Sequence, residues 1–131
     1  MKGFGEFIGE SKMEKIIIGG LEVWPEDLGE MTWQEATTEV AKLGPGWRLP
    51  TIEEFRETLA SMYYHIPNLH GDYYWSSTEE GDDNDDTDND AWYFNFYLGT
   101  AYFDAKDSTY YVRAVRDFTG AVAIEYLLKD F

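Results

Sequence analysis

The sequence contains no cysteine, which excludes disulfides, thiolate metal sites and cysteine nucleophiles. Histidine is nearly as scarce. His65 and His70 stand five apart around Pro67, and two imidazoles without a third fixed ligand make a poor zinc site. Cations are few: ten Lys and Arg face 26 Asp and Glu, for a formal net charge of −16. A field of that sign argues against nucleic acids and anionic membranes, and leaves basic protein patches or metal cations as partners. Long apolar runs are missing as well. Nothing approaches the roughly 18 residues a membrane span needs. Lys2 is followed by Gly, Glu and Ser rather than an apolar h-region, so no secretory signal is expected. No nucleophile stands with a base at a recognisable motif, and there is no phosphate-binding glycine loop. These absences point to a chain that is not an enzyme and carries no cofactor.

What remains is an aromatic-rich chain. The 131 residues suit one domain, 44% of them are apolar, and 18% are aromatic with Tyr the commonest ring. Tyrosines suit strands, and also binding surfaces where a flat ring and a hydroxyl act together. The centre of the organisation is Gly-Trp-Arg-Leu-Pro-Thr at residues 46–51. Pro50 holds Leu49 extended, so a helix can begin only after it, and Thr51 with Glu54 spells a Thr-x-x-Glu capping box. Trp47 and Leu49 are the apolar anchors of this joint.

Residues 1–13 read as a ragged N-terminal arm. The runs 15–18 and 21–24 around Gly19-Gly20 predict a hairpin. A first helix opens at Thr32, with Glu35 completing a second capping box, and stops at Gly44-Pro45. A second runs from about Ile52 to Met62 or Tyr64, with Phe55, Leu59 and Met62 at helical spacing. From Tyr73 the period changes to two. Strands are predicted at Tyr73–Ser77, Ala91–Tyr97, Thr100–Ala105 and Tyr110–Phe118, with a polar loop over 79–90. Residues 121–128 fit either a strand or a short helix. Two helices followed by an antiparallel meander make an α+β domain.

The loop is the most conspicuous acidic feature. Glu79, Glu80, Asp82, Asp83, Asp85, Asp86, Asp88 and Asp90 lie together with no cation among them. An EF-hand is excluded by its spacing: counted from Asp82, Asn84 and Asp86 suit the third and fifth positions, but Thr87 replaces the glycine and Tyr93 the final glutamate. A looser calcium site through Asp82, Asn84 and Asp86 is one alternative, and a solvated acidic loop or a ligand-facing loop the others. Along the following strand, Trp92, Phe94 and Phe96 are expected in the core. Tyr93, Asn95 and Tyr97 are expected outward, joined by Tyr102 and Asp104. Arg48, Arg113 and Arg116 are expected in structural ion pairs, with Asp117 or a helix glutamate as partner.

In order along the chain stand Leu-Glu-Val-Trp at 21–24, Met-Thr-Trp-Gln-Glu-Ala at 31–36 and Gly-Trp-Arg-Leu-Pro-Thr-Ile-Glu-Glu-Phe at 46–55. Tyr-Trp-Ser-Ser-Thr-Glu at 74–79, Ala-Trp at 91–92 and Tyr-Val-Arg-Ala-Val-Arg-Asp at 111–117 follow. This series resembles the C-type-lectin-fold variable proteins of diversity-generating retroelements and their non-variable bacterial relatives. The Arg-Leu-Pro-Thr-x-x-Glu part is shared with the formylglycine-generating enzyme group, whose chemistry relies on the cysteines absent here. The resemblance implies a C-type-lectin-like fold, two helices packed on a twisted antiparallel sheet with long loops. It implies a variable ligand-binding region within 72–118, between Trp75 and Arg116, and display on a cell or virion surface. Its ligand, a protein or a glycan, would meet Asp82, Asp83, Asp85, Asp86, Asp88, Asn89, Tyr93, Asn95, Tyr97, Tyr102, Asp104, Asp107 and Tyr110. A calcium-dependent lectin module and a structural part of a surface or virion assembly are the alternatives.

Overall fold

The computed structural model describes residues 15–81 and 89–118; the expected arm at 1–13 and the segment 121–128 lie outside them. Strands β1 (Ile16–Ile18) and β2 (Leu21–Val23) form the expected hairpin, Ile18 opposite Leu21. Its turn needs glycine. Gly19 and Gly20 have φ of +54° and +80°, and a Cβ on Gly19 would meet the Thr58 methyl at 2.6 Å. After the short β3 (Glu30–Met31), helix α1 (Trp33–Ala41) begins under the Thr32–Glu35 capping box.

Helix α2 opens at Ile52–Glu54 with Thr51 and Glu54 forming the second capping box. It is less regular than its periodicity suggests. The ladder widens into a π turn over Phe55–Leu59 and narrows to a 3-10 form over Ala60–His65. Pro67 explains the end: the residue before a proline is pushed extended, and Ile66 sits at φ −95°, ψ 110°, with its side chain in the core.

The remaining strands are β4 (Tyr73–Glu80), β5 (Asp90–Asn95), β6 (Thr100–Ala105), β7 (Tyr110–Tyr111) and β8 (Val115–Asp117). They differ from the expected meander in three ways. The strand predicted over Tyr110–Phe118 is two strands in two sheets, because Val112–Ala114 cross between them and bond the 24–28 segment instead (Leu28 N to Val112 O and Trp24 N to Ala114 O, both 2.9 Å). One pairing is parallel, Tyr74 beside Tyr111, in the five-stranded order β3-β7-β4-β5-β6; β1-β2-β8 make the smaller sheet. The loop expected over 79–90 is shorter, since a bulge after Trp75 lets Glu79 and Glu80 pair with Ala91 and Asp90. The result is an α+β, C-type-lectin-like fold, with two helices and two sheets among the described residues.

Tyr74 and Trp75 send their side chains to opposite faces, and each face has a core. Ile52, Phe55 and Leu59 of α2 cover one, with Tyr74, Phe94, Leu21, Val23 and Val115. Ala36 and Val40 of α1 cover the other, with Trp47, Leu49, Trp75, Ala91, Val112 and Ala114. The joint at 46–51 links the two layers. Arg48 exchanges both backbone bonds with Val115 at 2.9 Å, Ser77 N donates to Pro50 O at 2.8 Å, and Ile52 N donates to the Thr78 hydroxyl at 2.9 Å.

The Arg48 guanidinium grips both Glu54 oxygens (2.8 and 2.9 Å) and reaches Asp117 at 2.8 Å. Burial pushes the Glu54 carboxyl up, but Arg48 and the Thr51 capping bonds outweigh it and hold the group below its ordinary 4.5. A carboxylate whose folded pKa is depressed contributes stability fully above the unfolded value, and loses it as pH falls through the folded one. Stability should therefore drop as pH falls below about 4.5, and Glu54→Gln should flatten that part of the profile in urea unfolding measured across pH. An unchanged acid slope would show that Glu54 is not a carrier of it.

Candidate functional site

The β5–β6 hairpin carries most of the candidate residues that the structure describes. Its turn is fixed by Asn95, whose Oδ1 accepts from Tyr97 N (2.9 Å) and Leu98 N (3.2 Å) while its carbonyl accepts from Gly99 N (2.7 Å). Asn95 was expected to face outward. It is 5% exposed and its side chain is spent on the turn. Beyond it, Tyr97 and Leu98 stand at the tip, 80% and 65% exposed.

On the edge strand, Tyr102 is 63% exposed; it lies opposite Tyr93, and its ring stacks on Phe103 at 5.2 Å. Tyr93 is half-buried, because it packs against the core that includes Ala36 and Val40 of α1. There it joins a cluster of rings, stacked on Tyr110 at 4.4 Å, with Tyr73 set edgewise at 5.6 Å from Tyr93 and 6.0 Å from Tyr110. Trp75 closes the base of this cluster, 4.8 Å from Tyr110, its indole N–H donating to Met31 O at 2.9 Å.

Asp104 ends the cluster. It accepts from the Tyr110 hydroxyl at 2.6 Å and from Ala105 N at 2.7 Å. The Tyr110 bond holds the Asp104 carboxyl below its ordinary range. Burial, then the bond to Asp104 and its charge, pushes the Tyr110 phenol well above its own. Asp104 is thus an ionised carboxylate at neutral pH, set at the end of a tyrosine wall.

Asn89 and Asp107, both exposed, line a depression of about 450 Å³ with Thr32, Gln34, Ala105 and Lys106. Lys106 fixes its floor. Its N–H donates to Asn89 O at 2.6 Å and its carbonyl accepts from Trp33 N at 3.0 Å. Its ammonium lies 4.5 Å above the Trp33 ring and 2.6 Å from Glu79.

The structure therefore brings Tyr93, Tyr102, Asp104 and Tyr110 onto one face, sets Asn89 and Asp107 in the neighbouring depression, and leaves Tyr97 at the far turn. Asp82, Asp83, Asn84, Asp85, Asp86 and Asp88 lie outside the described residues, and with them the calcium reading. Among the described residues, no group of three or more His, Asp or Glu is placed to hold a metal ion, and no helix is long and apolar enough to cross a membrane.

Two features of the site escaped the sequence reading. Tyr73 was seen as a strand residue only, although its alternation with Trp75 and its place opposite Asn95 put it on the tyrosine face. Lys106 had no local signal, because Glu79 and Trp33 reach it from distant segments. Trp92 and Phe96, expected in the core, are half-buried at its margin, with the Trp92 indole N–H donating to Glu80 at 2.9 Å.

Comparison with known proteins gives one finding. No curated protein matches the chain. A family model described as the Lcl C-terminal domain matches residues 18–116, which run from the end of β1 into β8 and include both helices and the tyrosine face. The chain belongs to the Lcl C-terminal domain family.

Proposed function

We propose that this chain is a non-enzymatic display and binding module, which recognises a protein or glycan ligand through the surface built by residues 79–110. The observation that carries the reading is the division of labour along the β5–β6 hairpin. Phe94 and Ala91 are fully buried and Asn95 locks the turn, while Tyr97, Tyr102 and Asp107 project into solvent from a backbone they do not hold together. Tyrosines on a rigid sheet lose little side-chain entropy on binding, so they give contact area at low cost. Family membership supports the same reading, since the family is associated with C-type-lectin-fold variable proteins. The proposal includes a place in a diversity-generating retroelement cassette, and display on a cell or virion surface. The acid excess favours a partner with a basic patch.

A library randomised together at Tyr97, Tyr102 and Asp107 should stay mostly folded, because surface changes usually fall within about 0.5 kcal/mol. A second library at Trp75, Phe94 and Asn95 should lose its folded members. Counting folded clones by protease resistance checks this, and equal losses from both libraries would sink the display reading. Calcium should stabilise the parent no better than magnesium. A rise in Tm specific to calcium would replace the proposal with a calcium-dependent lectin module.

A further inference from the structure

We propose that the cluster of Tyr73, Tyr93 and Tyr110, ended by Asp104, is a seat for a lysine or arginine side chain of a basic protein segment. The inference rests on the binding-module reading and narrows its ligand to a cationic one.

Four observations lead there. The cluster is aromatic on its open side: Tyr73 is 45% exposed, Tyr93 and Tyr110 are half-buried, and the three ring centroids lie 4.4 to 6.0 Å apart. Ring faces carry negative quadrupole charge and attract an ammonium or guanidinium within about 6 Å of the centroid. Asp104 supplies a full charge at the end of the wall. Its carboxylate accepts from Tyr110 and Ala105, and from the Ser108 side chain as well; an ionised carboxylate has about four acceptor positions, which leaves one for a ligand.

The protein also builds the same arrangement for a lysine of its own. Lys106 lies over the Trp33 ring at 4.5 Å with its ammonium on Glu79 at 2.6 Å. Glu79 pairs with Ala91 and Ala91 with Asp104, so the internal lysine seat and the tyrosine seat are on neighbouring strands of one sheet. Finally, the chain's net charge of −16 draws cations and repels anions at long range. A neutral sugar would stack on the rings equally well but would gain nothing from that field.

The test uses the full chain at physiological salt and an N-acetylated, C-amidated trilysine peptide, with the same peptide acetylated on its side chains as the uncharged probe. Trilysine should shift the ring resonances of Tyr73, Tyr93 and Tyr110, and acetylated trilysine should not. Tyr73→Leu keeps an apolar side chain but removes the ring, and should weaken trilysine binding about fivefold. Asp104→Asn and Glu57→Gln change the net charge equally, but Glu57 is an exposed residue of α2. Asp104→Asn should weaken binding about tenfold, as for a lost charge-assisted contact, and Glu57→Gln should leave it within twofold.

Equal weakening by the two charge variants, with Tyr73→Leu without effect, would mean general attraction to an acidic protein and overturn the seat. So would unmoved tyrosine resonances, equal binding of the acetylated peptide, or stacking by a neutral oligosaccharide where trilysine fails. Each of these would leave the library experiment untouched, so losing the cationic seat is distinguishable from losing the binding-module reading.

Discussion

Arg113→Met should destabilise the protein by about 3–5 kcal/mol, the usual cost of breaking a buried ion pair from one side. The side chains of Arg113 and Asp27 are each only 2% exposed. The guanidinium Nε donates to Asp27 Oδ1 at 2.9 Å, Nη1 to Trp24 O at 3.1 Å, and Nη2 to Pro67 O and Asn68 O at 2.7 and 2.9 Å. The other Asp27 oxygen accepts from the Tyr74 hydroxyl at 2.7 Å and from His70 N at 2.8 Å. One side chain thus fastens the crossing between the two sheets to the loop after β2, to the loop after α2 and, through Asp27, to β4.

Methionine would fill part of the space, yet it would strand the Asp27 charge and leave three carbonyls short of a donor. Exposed pairs such as Lys42–Glu39 should matter far less, about 0–1 kcal/mol, because water screens them. The double variant Arg113→Met, Asp27→Leu should recover part of the loss, since the stranded charge is then gone. Urea unfolding at neutral pH measures all three. A cost below about 1 kcal/mol for Arg113→Met would show that water reaches Asp27 and that the centre is not the dry network described.

The ion-pair role of Arg113 was legible in the sequence, but its partners were not, and the reason is distance along the chain. Arg113 was expected to pair with Asp117 or a helix glutamate, which is right for Arg48 alone; Arg113 takes Asp27 and Arg116 takes Glu22. Features encoded within a few residues were readable. Both capping boxes, the Gly19-Gly20 turn and the Thr100–Ala105 strand stand where the pattern put them.

Alternation likewise gave the period of β5 correctly, but it cannot say what covers each face. A sheet covered on both faces gives half-buried positions where a one-sided sheet would give exposed ones. Tyr93 was misread for that reason; Asn95 is buried instead because its side chain closes the β5–β6 turn. The strand over Tyr110–Phe118 was misread for a related one: Val112, Arg113 and Ala114 keep a strand-like composition while their backbone partners lie in the loop after β2. At the site, Tyr102 and Asp104 were readable as polar positions beside an apolar alternation, while Asp107 came only with the family resemblance. The Tyr73–Tyr93–Tyr110 cluster was not readable, because it joins three strands.

Trp47→Ala should lower stability by about 3–5 kcal/mol, the range for removing a buried aromatic. The joint at 46–51 was the part of the chain most clearly marked in the sequence, and Trp47 is its largest side chain. It is 8% exposed, meets Trp24 edge to face at 5.1 Å, and has the Arg116 guanidinium 4.9 Å above its ring. Its neighbour Arg48 bonds Val115 through both backbone groups, so the backbone cannot move in to close the space an alanine would leave. The loss should appear as a fall in Tm of roughly 10–20 °C for a chain of this size, with the urea m-value unchanged.

Trp47→Phe should cost less, because a ring still meets Trp24. The Trp24–Trp47 contact itself, isolated by a double-mutant cycle, should account for about 0.5–1.5 kcal/mol of the total. The tyrosine face should keep its ring contacts in Trp47→Ala below the melting range, since Tyr110 meets the Trp75 ring and Tyr93 stacks on Tyr110. If Trp47→Ala melts within a few degrees of the parent, the joint is not what fixes α1 and α2 to the sheet. Stability would then reside in Trp75 and the Arg113–Asp27 centre.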